Sequence, residues 1–243
     1  EGVSLRRINQ KLGWDTGFGA NLIYPAADVY YSAITPSAAG GQPASGYYMV
    51  RDGIPLSAAT SSLMLNIVCY TASLDIIGVA AIATNFPLFL RMEWPIQLLI
   101  LLGIGIQFVL LIFFLLCMFK SDLVLRMSRG VIRFLGKLHL VRDQAAKEEK
   151  IHHTVEQYAQ CVSLMAGSWR LFAEVLALNL AQRVVQLLIT CFVCTAVPTG
   201  LTFGQVLARQ AFCLTGSNSI PLPGSVGAFE YLYLNIYTLR FDN

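Results

Sequence analysis

Hydrophobic positions in this chain come in long runs, not in the half-and-half periods of a soluble domain. Residues 62–83 are apolar over most of their length, interrupted by Asn66, Tyr70, Thr71, Ser73 and Asp75. Residues 95–118 form the cleanest run, with Gln107 as the polar side chain in its middle, and residues 171–197 form a third. Each is about as long as the roughly 20 residues that a bilayer core requires, so the pattern predicts three membrane-spanning helices. The link at 84–94 is short and carries Arg91, Glu93 and the interfacial aromatic Trp94. A Pro/Gly turn follows the third run at 198–203.

Residues 120–170 are the one long polar section. Within 121–141, Arg126, Arg129, Arg133 and Lys137 recur every three or four residues, while Leu123, Ile132, Leu135 and Leu138 supply an apolar side. That predicts an amphipathic helix. It is either a basic surface helix lying on anionic headgroups or an ordinary charged loop with one snorkelling helix. Two further segments, 14–48 and 203–237, consist of short apolar pieces broken by Pro/Gly clusters. Irregular backbone at membrane depth has to be buried in protein or line a cavity, because lipid cannot satisfy its N–H and C=O groups. Both segments therefore read as re-entrant hairpins or broken helix pairs. Counting crossings with 120–170 inside, the first enters from the cytoplasmic face and the second from the opposite face. This is the arrangement of inverted repeats. The fold class is thus all-α, a polytopic helical membrane protein. The expected organisation is a single transmembrane domain over 1–243, with a first half at 14–118, a cytoplasmic loop with its amphipathic helix at 119–170, and a second half at 171–243. The chain starts at Glu1 and its last apolar segment stops at Leu239, so flanking helices are expected beyond both ends.

Composition agrees with the bilayer as solvent. Charged residues make up 13% of the chain, about half of the roughly 25% usual in soluble domains, and hydrophobic residues reach 56%. The net charge of +3 gives no reason to expect nucleic acid as a partner. Its distribution says more, since eight of the 17 Lys and Arg fall between Lys120 and Lys150, as the positive-inside rule expects of a cytoplasmic loop. The six cysteines have no disulfide-framework spacing, and Cys191-x-x-Cys194 stands without a second pair or a histidine. His152 and His153 read as solvated. No metal site or cofactor is expected, and no Ser/His/Asp set or phosphate loop points to catalysis.

The broken segments carry a resemblance. "ITPSAAGGQP" (34–43), then "MVRDGIPLSAA" (49–59) and "SIPLPGSVGAFE" (219–230) resemble the lysylphosphatidylglycerol synthase transmembrane family, also called flippase-like, over about residues 5–237. The resemblance implies a multi-pass protein of the bacterial or archaeal cytoplasmic membrane. In multidomain members, the multiple peptide resistance factors, this part moves aminoacylated phosphatidylglycerol to the outer leaflet. There it masks negative charge and confers resistance to cationic peptides. A separate soluble domain makes the lipid from aminoacyl-tRNA, and nothing in this chain matches it. Whether the chain is an enzyme stays open, with its residues leaning against. The expected function is therefore translocation of phospholipid, with aminoacyl-phosphatidylglycerol as the candidate the resemblance names. The alternatives are a lipid-binding domain serving a synthase or glycosyltransferase without transport, or a structural or dimerisation module. The expected partners are an anionic or aminoacylated phospholipid and either a second copy or a synthase.

Moving a phospholipid needs cationic or N–H donors for its phosphate, a hydrated groove for its headgroup and an apolar exit for its tails. Arg183 is the leading candidate, because an Arg facing lipid in mid-span would cost about 2.5–3.5 kcal/mol or more. Asn179, Gln182, Gln186 and Thr190 share its helical face, so the stripe must meet protein or water. Arg183 then either binds phosphate or pairs with an internal carboxylate. Glu230, at the start of the last helix, either caps that helix, pairs with Arg183 or Arg209, or touches an amine headgroup. Gln42, Arg209, Asn66 and Tyr70 complete the candidate lipid-contacting set, with Asn66 and Tyr70 expected to line the interior. Asp75, half a turn out of phase with Asn66, is expected to be interfacial or ion-paired. Pro36, Gly40, Gly41 and Pro43, with Pro221, Pro223, Gly224 and Gly227, are read as shaping backbone. The topology has a direct check. Cysteines placed at Glu93 and Gln144 in an otherwise cysteine-free chain are expected to label from outside and from inside the cell, respectively, and labelling from one side would overturn it.

Overall fold

The computed structural model describes residues 1–35, 39–137, 144–196, 200–217 and 227–238. Among these residues every regular element is a helix and there is no strand. Three helices are long and apolar enough to cross a membrane: α4 (Leu56–Thr84), α6 (Trp94–Phe119) and α9 (Trp169–Ala196). The protein is an all-α polytopic membrane protein, as its hydrophobic runs predict.

α4 is the axis of the fold. Residues α4 shares with α9, Asn66 with Asn179 and Tyr70 with Arg183, advance together, so these two helices run parallel. α6 runs antiparallel: its beginning, Ile96 and Ile100, packs with Ala81, whereas its end, Met118, packs with Leu65 and Val68. At the beginning of α4, small side chains let the helices Gly2–Lys11, Gly41–Arg51 and Gln144–Ala166 approach it. Ser57, Ala58, Ala59, Ser61 and Ser62 are all buried on α4, the residue types that let membrane helices approach closely. Hydroxyls at Thr60, Ser61 and Thr71 donate to the carbonyl four residues back, at 2.7–2.8 Å, which disposes of their polarity without any partner helix.

The two broken segments are hairpins at opposite ends of α4. In the first, α2 (Phe18–Ile34) and α3 (Gly41–Arg51) run antiparallel, joined by Ser45 Oγ donating to the Tyr24 carbonyl at 2.6 Å. α3 then lies along the first half of α4, with Gly46 against Leu63. α1 (Gly2–Lys11) also docks there, Ser4 Oγ donating to Asn66 Oδ1 at 2.8 Å and Ser62 Oγ to Asn9 Oδ1 at 2.7 Å. In the second hairpin, α10 (Phe203–Ser217) and α11 (Ala228–Thr238) are antiparallel, with Gly216 against Leu232 and Arg209 Nε donating to the Ile236 carbonyl at 3.1 Å. α10 starts beside Cys191 and Cys194 at the end of α9 and finishes with Thr215 against Gly78 and Gly103. Gly103 lies nine residues into α6, about 14 Å from its start at 1.5 Å per residue, so α10 reaches about half-way along this spanning helix. Short α5 (Phe86–Leu90) closes this end.

The polar section is more structured than the expected loop with one helix. α7 (Ser121–Lys137) is the predicted amphipathic helix, with Arg126 exposed. Residues 138–143 and the side chains of Arg129, Arg133 and Lys137 lie outside those described. α8 (Gln144–Ala166) follows, and its Tyr158, Val162 and Met165 bury against α4, α6 and α9, while Val155 is also buried. Tyr158 Oη donates to the Cys117 carbonyl at 3.2 Å. Burial pushes its phenol above the ordinary value, so it remains a donor across the physiological range.

Outward faces of the long helices are apolar. Phe108, Val109 and Phe113 of α6, and Val185, Ile189 and Phe192 of α9, are all exposed. Trp94 opens α6 with 75% of its surface exposed and Trp169 opens α9 with 77%, which puts an aromatic anchor at each end of the bundle. The chain thus buries polar groups and exposes apolar ones, as a bilayer demands.

The docking of α10 generates a prediction. A Cβ at Gly103 would strike the Thr215 carbonyl oxygen, a backbone atom that cannot swing away, whereas one at Gly105 would meet nothing. Gly105→Ala is expected to hold or raise thermal stability in detergent, because Ala is better than Gly in a helix by about 1 kcal/mol. Gly103→Ala is expected to lose about 1–3 kcal/mol by overpacking, against that gain. Equal melting temperatures for the two variants would show that α10 does not pack there.

Candidate functional site

Asn179, Gln182, Arg183 and Gln186 follow one another at helical spacing on α9, so the sequence places them on one face. Asn179 and Arg183 turn inward, toward α4 and α1, while Gln186 stays exposed at the edge of the face. Arg183 keeps only 6% of its surface exposed, and its guanidinium carbon sits 4.2 Å above the centre of the Tyr70 ring, a cation–π stack. Its Nη1 donates to Gln186 Oε1 at 2.5 Å. One turn back, Asn179 Nδ2 donates to the Val175 carbonyl at 2.9 Å and reaches Asn66 Oδ1 at 3.3 Å. Asn66 is thereby a junction. Its oxygen also accepts from Ser4, and its Nδ2 donates to Glu1 Oε1 at 3.3 Å.

Glu1 links this cluster to the first hairpin. Its carboxylate lies beside Gln182 and within electrostatic reach of both Arg183 and Asp28. Asp28, on α2, accepts from Ser32 Oγ at 3.1 Å and from Gln42 Nε2 at 2.6 Å. Gln42 belongs to the first Pro/Gly motif, and the glycines beside it explain how α3 comes so near. A Cβ at Gly41 would occupy the space of the Asp28 carboxylate and the Ser32 hydroxyl, and one at Gly40 would stand 2.6 Å from Thr35 Cγ2. Gly40 has φ −83°, so close approach, not a left-handed backbone, is what glycine supplies there. Gly227 has φ +89°, where glycine is needed for conformation.

The result is a partly buried site with one guanidinium and two carboxylates, bordered by amides. It is incompletely satisfied. Asn179 Oδ1, Gln182 Oε1 and Arg183 Nε are all buried without a hydrogen-bond partner. Orphaned polar atoms in a protein interior are costly, and three on one helix face leave two acceptors and a donor for a water or a ligand to satisfy. Chemically, the guanidinium suits a phosphate oxygen and the carboxylates suit an ammonium group. Beside it, a groove of about 630 Å³ runs between α3, α4 and α6. Gln42 and Pro43 stand at one end of its lining, and Leu63, Met64, Ile67 and Phe114 give it an apolar wall.

The structure therefore brings together Arg183, Gln182, Gln186, Asn179, Asn66 and Tyr70, and joins Gln42 to them through Asp28. Asn66 is buried and Tyr70 half-buried beneath Arg183. Glu230 and Arg209 lie elsewhere. Glu230 is exposed at the start of α11, where its Oε2 accepts the Gly227 N–H at 2.5 Å, and no ion pair joins it to Arg183. Arg209 is wholly buried between α10 and α11. Asp75 corrects an expectation: it is not ion-paired but buried, with both oxygens unpartnered. Having Thr71 and Ser73 as polar neighbours along α4 does not help it, because those hydroxyls bond backwards to Ile67 and Tyr70. Pro36, Pro221, Pro223 and Gly224 lie outside the described residues, while Pro43 borders the groove. Sequence reasoning missed Glu1, Ser4 and Asp28. Asp28 carried the signal already used for Arg183, a lone charge within an apolar segment.

Residues 3–240 match the family model described as the lysylphosphatidylglycerol synthase TM region. No curated protein and no solved structure matches the chain.

The Tyr70–Arg183 stack is testable as an energetic coupling. Tyr70→Phe keeps a ring beneath the guanidinium and is expected to melt near the wild-type temperature. In a double-mutant cycle, Tyr70→Leu and Arg183→Met are expected to couple by about 1–2 kcal/mol, the range for a desolvated cation–π pair. Additive effects would show that the ring and the cation do not interact.

Proposed function

The chain is a member of the lysylphosphatidylglycerol synthase transmembrane family, and from that premise we propose that it is a lipid translocase. It would act in the bacterial cytoplasmic membrane and carry an anionic or aminoacylated phospholipid between leaflets. The observation that carries this reading is the state of Arg183. A cation buried in a membrane-spanning helix, held by a ring and a glutamine with its Nε unpartnered, is suited to a ligand that brings its own acceptor oxygens. A lipid phosphate is such a ligand, and a guanidinium can bind it bidentately.

The surroundings support the same reading. Glu1 and Asp28 supply negative charge on the other side of the site, as an aminoacyl headgroup with a free amine would require. The groove beside Gln42 is apolar on the lipid-facing side of α3 and α4, where an acyl chain would lie while the headgroup is inside. Binding without transport, in service of a separate synthase, needs the same phosphate site but no route across.

Reconstitution in proteoliposomes with a fluorescent phosphatidylglycerol and an outer-leaflet quencher tests it. The wild type is expected to move the lipid. Arg183→Gln is expected to reduce the rate at least about tenfold in protein that still folds, since a hydrogen bond to a charged group contributes about 1.5–3 kcal/mol. Arg183→Lys is expected to retain part of the rate, keeping the charge while losing the fork. Normal movement by folded Arg183→Gln protein would remove the phosphate from this site. Binding of the lipid by a wild type that never moves it would favour the lipid-presenting alternative.

A further inference from the structure

Asp75 stands apart from the Arg183 site, on the far side of α4. Nine residues separate it from Asn66, which is two and a half turns of helix. Gly78, one turn further on, receives the end of α10: a Cβ there would stand 3.0 Å from Thr215 Cγ2 and 3.1 Å from its Oγ1. Asp75 therefore lies where the second hairpin closes on α4. Its side chain is 9% exposed, both carboxyl oxygens are shut off from solvent, and no donor reaches either.

Among the described residues no charge answers it. α6 has no charged side chain from Trp94 to Phe119, and its titratable group is the thiol of Cys117. On α9, Arg183 is stacked on Tyr70 and Glu174 is exposed. On α10, Arg209 donates to the Ile236 carbonyl, and Cys213 belongs to the apolar cluster. α5 carries no charged residue, and the adjoining Arg91 is exposed. The charged groups of α1, α3 and α8, among them Arg6, Arg51 and Glu156, belong to elements packed on the other half of α4. An ionised carboxylate at Asp75 would have neither counter-charge nor donor, whereas the neutral acid strands far less polarity.

We propose that Asp75 is a proton-binding site that ties the α10–α11 hairpin to the transmembrane proton gradient. With the hairpin packed against α4, the carboxyl holds its proton. When the hairpin withdraws and water enters, the O–H bond breaks, its electron pair stays on the carboxylate oxygen and water carries the proton away as hydronium. The reverse step reloads the site before the hairpin can repack. The contact that must open is smooth. Gly78, Gly103 and Gly216 make it, so α10 can slide without side chains disengaging. This inference rests on the translocase reading only for its consequence in transport; the protonation itself stands on the geometry.

The test uses the purified chain in vesicles of phosphatidylglycerol and phosphatidylethanolamine. Dicyclohexylcarbodiimide converts a protonated carboxyl in apolar surroundings to a stable N-acylurea, which mass spectrometry locates. Asp75 is expected to be modified, less so as the pH is raised, with the adduct absent from Asp75→Asn. In the transport arm, imposing a pH difference is expected to change the wild-type rate of fluorescent lipid movement several-fold. Asp75→Asn is expected to run at one rate with or without the gradient, and Asp75→Glu to recover part of the response. An unmodified Asp75 in the wild type, or a full gradient response in Asp75→Asn, would overturn the proposal. A wild type that takes the label at Asp75 yet moves no lipid would uphold the proton site and sink the translocase reading alone.

Discussion

Polar side chains on a membrane-spanning helix have to find partners inside the protein, because the surrounding hydrocarbon offers none. Asp75 apart, α4 meets that constraint in two ways, and much of the fold follows from the second. Its hydroxyls turn back onto the preceding turn of their own helix, which costs no tertiary structure. An amide cannot do so fully, since it has both donors and acceptors to place. Asn66 therefore needs neighbours, and it draws α1 in through Ser4 and Glu1 and α9 in through Asn179. Those contacts set the register between α4 and α9 and so bring Tyr70 beneath Arg183. One asparagine in the middle of an apolar helix thus positions the cation one turn further along.

The spans were legible because length and apolarity alone decide them. Residues 62–83, 95–118 and 171–197 all fall within or close to helices that the structure extends by a few residues at most ends. The Arg183 stripe was legible for a related reason, since a charge in such a run has to face inward whatever its partner. What could not be read was the partner. Glu1 and Asp28 lie more than 150 residues from Arg183, and only the hairpin and the docking of α1 bring them near. α8 was hidden differently. Its four buried residues, Val155, Tyr158, Val162 and Met165, keep helical spacing, but the charges of 147–150 and the histidines beside them dominate the composition of the segment. The burial of Asp75 was not legible because nearness to a helix end in sequence does not mean exposure when another helix packs alongside.

Both Pro/Gly motifs are read in sequence as breaks, yet the glycines that matter most for packing are split between the motifs and the spans. Gly41 lets α3 press on Asp28, and it belongs to a motif. Gly78 and Gly103 let α10 descend between α4 and α6, and they sit in helices that look unremarkable apart from their apolarity. A re-entrant helix needs both features: a segment able to stop within the membrane and long helices with a notch to receive it. Gly105, two residues from Gly103 on another face, receives nothing. Position around the helix, not glycine content, makes the notch.

The two buried arginines show how burial alone fails to identify a site. Arg209 is the more buried, but its Nε is spent on a backbone carbonyl of the helix it packs against, so it fastens one arm of a hairpin to the other. Removing it would strand that carbonyl and loosen the hairpin, which is what a structural side chain does. Arg183 is held by groups that leave room for exchange. Gln186 is exposed and can swing away, an aromatic face attracts a cation without using up any N–H donor, and Nε has no acceptor at all. A guanidinium whose charge is sheltered and whose donors are largely uncommitted is poised to accept oxygen ligands with little reorganisation. On the proposed reading, that property, more than the presence of a charge at membrane depth, is what would let Arg183 bind a ligand where Arg209 braces a hairpin.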